Sequence, residues 1–237
     1  MNVMQPYRSE KINSVIDDLR VKLIDRTIPR GMTLSEKEIA DQYGISRGSL
    51  RTALQFLEQE GLIKTLDNGR KLAEGLTARD VSDIWNLRAQ LEYSAVKSII
   101  QYRTADFSHI VQAISLINQY ADNAEMHKPH QSVSVDMQLH RSIMYTCGNK
   151  PLIRTWDTFA RVQTVLLQLN TSDWYEKEYI TSFWERHNPL LVGIMQNDEN
   201  ILDVLIEHIE RGRDICIDSI KRIEARTDGV NQKCRTK

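Results

Sequence analysis

The chain is 237 residues long, 41% hydrophobic and 27% charged. That is enough apolar material for one large or two modest cores, and it excludes both a disordered chain and a disulfide-stapled miniprotein. With 31 Lys+Arg against 32 Asp+Glu the formal charge is −1, which excludes a polycationic nucleic-acid coat, so any DNA site has to be local. The 3 cysteines, Cys147, Cys216 and Cys234, share no Cys-x-x-Cys spacing, so neither a disulfide framework nor a thiolate zinc site is expected. There is no apolar leader after Met1 and no run of about 20 apolar residues, so the expectation is a cytoplasmic protein with no membrane partner.

Glycines cluster from Gly31 to Gly75 and are absent between Leu76 and Cys147. This shift predicts two domains, 1–75 and 76–227, with a polar tail at 228–237. Over residues 7–26, Ile12, Val15, Ile16, Leu19, Leu23 and Ile24 recur at helical spacing and the run stops before Pro29-Arg30-Gly31. Ser35-Glu36-Lys37-Glu38 reads as a capping box that opens a short helix with Ile39, Ala40 and Tyr43 on one face, and Gly44 can close it. Ser46 then caps residues 47–59, with Leu50, Ala53, Leu54 and Leu57 in one stripe. Residues 62–66 and 70–73 flank Asp67-Asn68-Gly69, which predicts a hairpin.

Beyond Gly75 the pattern is helical. One helix carries Val81, Ile84, Leu87, Leu91, Ala95 and Ile99. A second, capped by Thr104, carries Phe107, Ile110, Val111, Ile114 and Ile117. After a break at Pro129 come Val133 to Cys147, Pro151 to Leu169, a segment through Trp174 and Phe183, Leu190 to Met195, and a last helix from about 200 to 226. The predicted fold is mostly α: an N-terminal winged helix-turn-helix followed by an all-helical antiparallel bundle of six or seven helices.

Two helices, a tight Gly44-Ile45 turn and a hairpin are the layout of a winged helix-turn-helix, whose second helix enters the major groove by its amino end. Ser46, Arg47, Ser49 and Arg51 sit at that end. Arg47 can make a two-point contact to guanine, and the others can bond phosphates or bases. Arg70 and Lys71 at the hairpin can track the backbone or the minor groove. Together with Ser35 these form the candidate DNA-contacting set, the alternative being a packing module with solvated charges. The run Pro29-Arg30-Gly31-Met32-Thr33-Leu34-Ser35-Glu36, then Glu38-Ile39-Ala40, Gly44-Ile45-Ser46-Arg47, Leu50-Arg51-Thr52-Ala53-Leu54, Leu57-Glu58 and Gly61-Leu62-Ile63 resembles the GntR family of bacterial transcription regulators. The family usually has Thr-Pro at Gly48-Ser49 and Glu at Thr52.

Asp136 and His140 are one turn apart on one helical face, His187 sits between Trp184 and Leu190, and His208 lies among Leu205, Ile206 and Ile209. Oxygen and nitrogen donors from three helices suit a divalent ion such as Zn²⁺, Ni²⁺ or Mn²⁺. A lone histidine on a partly apolar helix is more often a hydrogen-bonded core or surface residue, so spacing alone leaves both readings open.

Residues from Ala78 onward resemble the all-helical effector domain of the FadR-type branch of that family, in the variant called FCD. The resemblance rests on Asp83-Ile84-Trp85, Leu87-Arg88, Leu91-Glu92, Asp136, Leu139-His140, Gly148-Asn149-Lys150-Pro151-Leu152, His187, Leu190 to Ile194, Asn197-Asp198 and His208. It implies a divalent metal on Asp136, His140, His187 and His208, holding a small organic acid effector. Arg88 and Asn149 are the candidate effector contacts. Arg88 has an ion pair with Glu92 at i,i+4 as its alternative, and Asn149 a capping role. Pro189 implies that a helix begins near Asn188 or kinks there.

The function expected is a metabolite-responsive transcription regulator, binding a near-palindromic double-stranded DNA operator as a homodimer. The competing class is a metal-dependent hydrolase or lyase, for which Glu185 is the nearest acid or base in sequence.

Overall fold

The computed structural model describes residues 10–102, 106–123, 130–174, 177–198 and 200–235. The chain divides into two compact units, one formed by Met1–Ala78 with Ile220–Lys237 and the other by Arg79–Ser219.

The first unit contains α1 (Glu10–Ile24), β1 (Thr33–Leu34), α2 (Glu36–Tyr43), α3 (Arg47–Gln59), β2 (Ile63–Thr65) and β3 (Lys71–Ala73). Ile16, Leu19, Leu23 and Ile24 of α1 are buried with Leu50, Leu54 and Leu57 of α3, and the two helices pack on each other. The helix ends follow from local chemistry. The Ser35 hydroxyl accepts from the Glu38 amide at 3.4 Å, and that of Ser46 accepts from the Ser49 amide at 3.1 Å, satisfying amides that have no partner inside the helix. Gly44 closes α2 with φ at +57°, a left-handed conformation open to glycine at little cost.

The predicted hairpin forms as β2 and β3, and β1 joins its far edge to give an antiparallel sheet in the order β1-β3-β2. Leu72 faces Thr33 on one side and Lys64 on the other. A two-residue strand is too short to show alternation, which is why β1 is absent from the sequence reading. Gly75, just after β3, has φ +62°, and a Cβ there would lie 2.9 Å from the Leu23 carbonyl oxygen; any side chain would have to displace backbone.

Two of the ion pairs in this unit are made by buried arginine side chains. Arg20 of α1, with a side chain only 3% exposed, grips Glu60 just past α3 at two points, Nε to Oε2 at 2.6 Å and a terminal nitrogen to Oε1 at 2.7 Å. Arg26, after α1, pairs with Glu224 at 2.9 Å and also donates to the Leu76 carbonyl, holding the end of the last helix in this unit.

The second unit is built from α4 (Ala78–Tyr102), α5 (Ser108–Asp122), α6 (Gln131–Cys147), α7 (Lys150–Trp174), α8 (Lys177–Gln196) and the first part of α9 (Ile201–Arg235). Helix α5 packs against α6 and α8, and α6 against α7. The core includes Val81, Trp85, Ile117, Leu139, Ile143, Trp156, Leu166, Leu190 and Leu205. Helix α8 runs through Pro189, so the expected new start near Asn188 does not occur. Proline forfeits one hydrogen bond, to the Glu185 carbonyl, while Phe183, Leu190, Leu191 and Ile194 are all buried and hold the helix in place. Helix α9 continues to Arg235, past the end expected near 226. Thr104 and Pro129 lie outside the described residues. Among the described residues no helix is long and apolar enough to cross a membrane.

Candidate functional site

The amino end of α3 is exposed. Ser46 and Ser49 share a hydroxyl-hydroxyl bond of 2.9 Å, and Arg47 beside them is exposed with no hydrogen bond or ion pair to another described residue. Amides in the first turn of a helix carry partial positive charge, so a freely reaching guanidinium here adds to a site already suited to phosphate. Thr52 turns its hydroxyl back onto the Gly48 carbonyl at 3.2 Å, a local bond that the Glu usual at this place would not make.

The other candidate contacts are partly engaged within the chain. Arg51 remains largely exposed but bonds Glu36 of α2 through Nε at 2.8 Å. Arg70 reaches the Thr33 hydroxyl at 3.0 Å. Lys71, with a side chain 14% exposed, sits 2.6 Å from Glu58. Ser35 is spent capping α2. Glu58 also accepts from the Thr65 amide at 3.0 Å and from the Thr65 hydroxyl, so this acid at the far end of α3 anchors the hairpin. The bond from Lys71, then those from Thr65, hold the Glu58 carboxyl below its ordinary value.

In the second unit Asp136 and His140 of α6, His187 of α8 and His208 of α9 come together, each offering one donor atom, all within 4.8 Å of one another. His187 Nε2 faces Asp136 Oδ1 at 2.8 Å, while its Nδ1 donates to the Phe183 carbonyl at 2.7 Å. A carbonyl only accepts, so His187 carries a proton on Nδ1 and turns Nε2 toward a carboxylate oxygen. His140 repeats the pattern. Its Nδ1 bonds Glu92 Oε2 at 2.6 Å and its Nε2 lies 3.1 Å from His208 Nε2.

The electrostatics place an ionised carboxylate beside a neutral His208. Burial raises the Asp136 carboxyl, but the charge of His140 and the bond and charge of His187 outweigh it and hold it well below the usual carboxylate range. Burial, with the positive neighbours His187 and His140, pushes His208 well below its ordinary value, leaving it neutral. Three imidazole nitrogens and a carboxylate oxygen converging in one place are a donor set that a divalent cation can take up. The residues present therefore fit a metal.

Arg88 of α4, 4% exposed, donates from Nε to Glu92 Oε1 at 2.8 Å, and its charge is felt at Asp136 and His208. Asn149 is exposed and accepts from the Leu152 amide at 3.2 Å, starting α7; it is not among the converging donors. Glu92 and Trp156 are the buried polar residues that sequence reading did not place at this site. Trp156 Nε1 donates to Glu92 Oε1 at 2.9 Å. The only sequence signal was the Arg88–Glu92 spacing, since His140 and Trp156 lie 48 and 64 residues away. Glu185, the candidate acid or base of the enzyme reading, is exposed while His187 is buried.

Known proteins agree with this two-part organisation. The family model described as "Bacterial regulatory proteins, gntR family" matches residues 11–70, and that of the FCD domain matches residues 83–211. An uncharacterized HTH-type transcriptional regulator, YdhC, from Bacillus subtilis (strain 168) is 33% identical over 84 residues, covering 35% of this chain and 38% of that protein. The gluconate operon transcriptional repressor of Bacillus subtilis (strain 168) is 24% identical over 191 residues, covering 78% of this chain and 76% of that protein. The solved structure of E. coli McbR/YncC has the same fold, with a TM-score of 0.67 at 18% identity over 89% of this chain and 99% of that one. The family and these regulatory relatives are transcription regulators rather than enzymes. With a winged helix-turn-helix in one unit and an FCD domain in the other, the chain belongs to the GntR family of bacterial DNA-binding transcription regulators.

Proposed function

We propose that the chain is a metabolite-responsive regulator working in the cytoplasm, whose FCD domain holds a divalent cation on Asp136, His140, His187 and His208 and, on that cation, a small organic acid. The observation that carries this reading is the convergence of one donor atom each from Asp136, His140, His187 and His208, all within 4.8 Å of one another. Such a cation supplies a binding point for an anionic ligand, offsetting the cost of burying its carboxylate. Arg88 is the second anchor: the described bond to Glu92 engages Nε, and a guanidinium has two further nitrogens for a second acidic or hydroxyl group. A relative named for the gluconate operon is consistent with a hydroxylated organic acid.

At the other unit, DNA recognition runs through the amino end of α3, with Arg47 reading base edges and Ser46, Ser49 and Arg51 on phosphates. A homodimer presents two such helices to successive major grooves, about 34–36 Å apart. The effector changes operator affinity to the extent that it binds one arrangement of the reading heads more tightly than another.

The test is thermal denaturation of the metal-stripped protein with Zn²⁺, Ni²⁺ or Mn²⁺, followed by a set of small organic acids on the metal-loaded form. Each acid is then scored for its effect on operator binding. Metal should stabilise the wild type and not the Asp136→Ala/His140→Ala variant, and acids should act only on the loaded protein. Failure of every divalent ion to stabilise the wild type would remove the metal reading. Sedimentation that shows a monomer on the operator would remove the dimer.

A further inference from the structure

Glu92 is a fully buried acid, 0% exposed, in the middle of α4. Both its oxygens are engaged: Oε1 accepts from Arg88 Nε and Trp156 Nε1, and Oε2 accepts from His140 Nδ1 at 2.6 Å. The donors come from α4, α7 and α6, so the carboxylate cannot rotate without breaking a bond to another helix. With Oε1 taken by two N–H donors, Oε2 is the oxygen left to accept from His140 Nδ1.

We infer that Glu92 is a positioning residue for the cation site: by accepting from Nδ1 it fixes His140 in the tautomer whose Nε2 is unprotonated and turned into the donor cluster. The inference rests on the metal reading above and goes beyond the four ligands to the residue that makes one of them competent. His187 gets the same orientation from the Phe183 backbone carbonyl, which no side-chain substitution removes. At His140 the device is a side chain and can be cut.

Glutamine in place of Glu92 keeps the shape. With its oxygen retained by Arg88 and Trp156, its amide NH₂ faces His140 Nδ1 and selects the opposite tautomer, which carries the proton on Nε2, where the metal needs a lone pair. Partners of metal-bound histidines typically contribute about 10- to 100-fold in metal affinity. Glu92→Gln should therefore weaken Zn²⁺ binding to the full-length protein by about that factor and alter the visible spectrum of the Co²⁺-loaded form. Trp156→Phe, which removes a different bond to the same carboxylate, should leave Zn²⁺ affinity essentially unchanged. In a His140→Ala background, Glu92→Gln should cause no further loss.

Equal Zn²⁺ affinity in wild type and Glu92→Gln, or an undiminished effect of Glu92→Gln when His140 is absent, overturns the inference. A wild type that binds no Zn²⁺ instead overturns the metal reading beneath it. Should Glu92→Gln fail to fold, nitrogen-detected NMR of Zn²⁺-loaded wild type decides: a proton on His140 Nδ1 with Nε2 on the metal supports the assignment, and the reverse pattern sinks it.

Discussion

Glu58, on α3, and Lys71, on β3, form an ion pair of 2.6 Å, and the Thr65 amide donates to the same carboxylate at 3.0 Å. The hairpin is thereby tied to the helix that precedes it. Lys71 and Thr65 hold the Glu58 carboxyl below its ordinary 4.5. A carboxyl lowered in the folded state adds stability that is fully present above its unfolded value and is lost as pH falls through the folded one. The hairpin should loosen below pH 4.5, seen as faster amide exchange at Thr65. Glu58→Gln should have faster exchange at neutral pH and little further change on acidification. An acid response at Thr65 equal to that of wild type would show that other groups drive it.

Arg47 and Lys71 carry the same charge and should behave differently toward DNA. Arg47 is exposed with no partner among the described residues, so Arg47→Ala should leave thermal stability unchanged and weaken operator binding by about 1–3 kcal/mol. Lys71→Ala should lower stability as well, because it releases Glu58. Fluorescence anisotropy with a labelled operator, beside thermal melts, separates the two. Full operator affinity in Arg47→Ala would refute the assignment of α3 as the reading helix.

The Arg20–Glu60 pair is mostly enclosed, with side chains 3% and 8% exposed. Removing Glu60 would leave the buried Arg20 guanidinium held by Asp17, whose side chain is 58% exposed. Glu60→Ala should cost about 3–5 kcal/mol, measured by urea denaturation, whereas the exposed Arg211–Glu207 pair should contribute at most about 1 kcal/mol. A loss below that at Glu60 would mean water reaches Arg20 once the acid is gone.

Metal linkage gives a further test. A cation that binds only the folded protein should stabilise it by about 2.7 kcal/mol at a hundredfold excess over its dissociation constant, and chelation should reverse the gain. His208→Ala should abolish that response with little change in the chelated protein, because His208 is only partly buried. Calorimetry with and without chelator reads both quantities.

Much of the first unit was legible in sequence because its signals are local. Ser35, Gly44 and Ser46 mark helix ends through bonds to residues within four positions, and Asn68-Gly69 marks the hairpin turn. β1 was not legible, since a strand of two residues exists only through its pairing with β3. Likewise nothing near Glu58, Glu60 or Lys71 shows that these charges are spent on one another and on Arg20 rather than offered to solvent or DNA.

In the second unit, spacing put Asp136 and His140 on one face, and resemblance named His187 and His208, but residue types could not show that the four donor atoms converge. Pro189 suggested a break; the buried side chains of α8 keep the helix whole and leave His187 facing Asp136. By itself, then, the sequence determined the caps and the hairpin turn of the first unit and put Asp136 and His140 one turn apart, because these depend on short-range backbone chemistry and residue type. Tertiary structure alone decided which polar groups are spent. Glu92 became a hub and Lys71 a brace because packing brings together residues far apart in the chain and, by excluding water, forces every buried charge to find its partner.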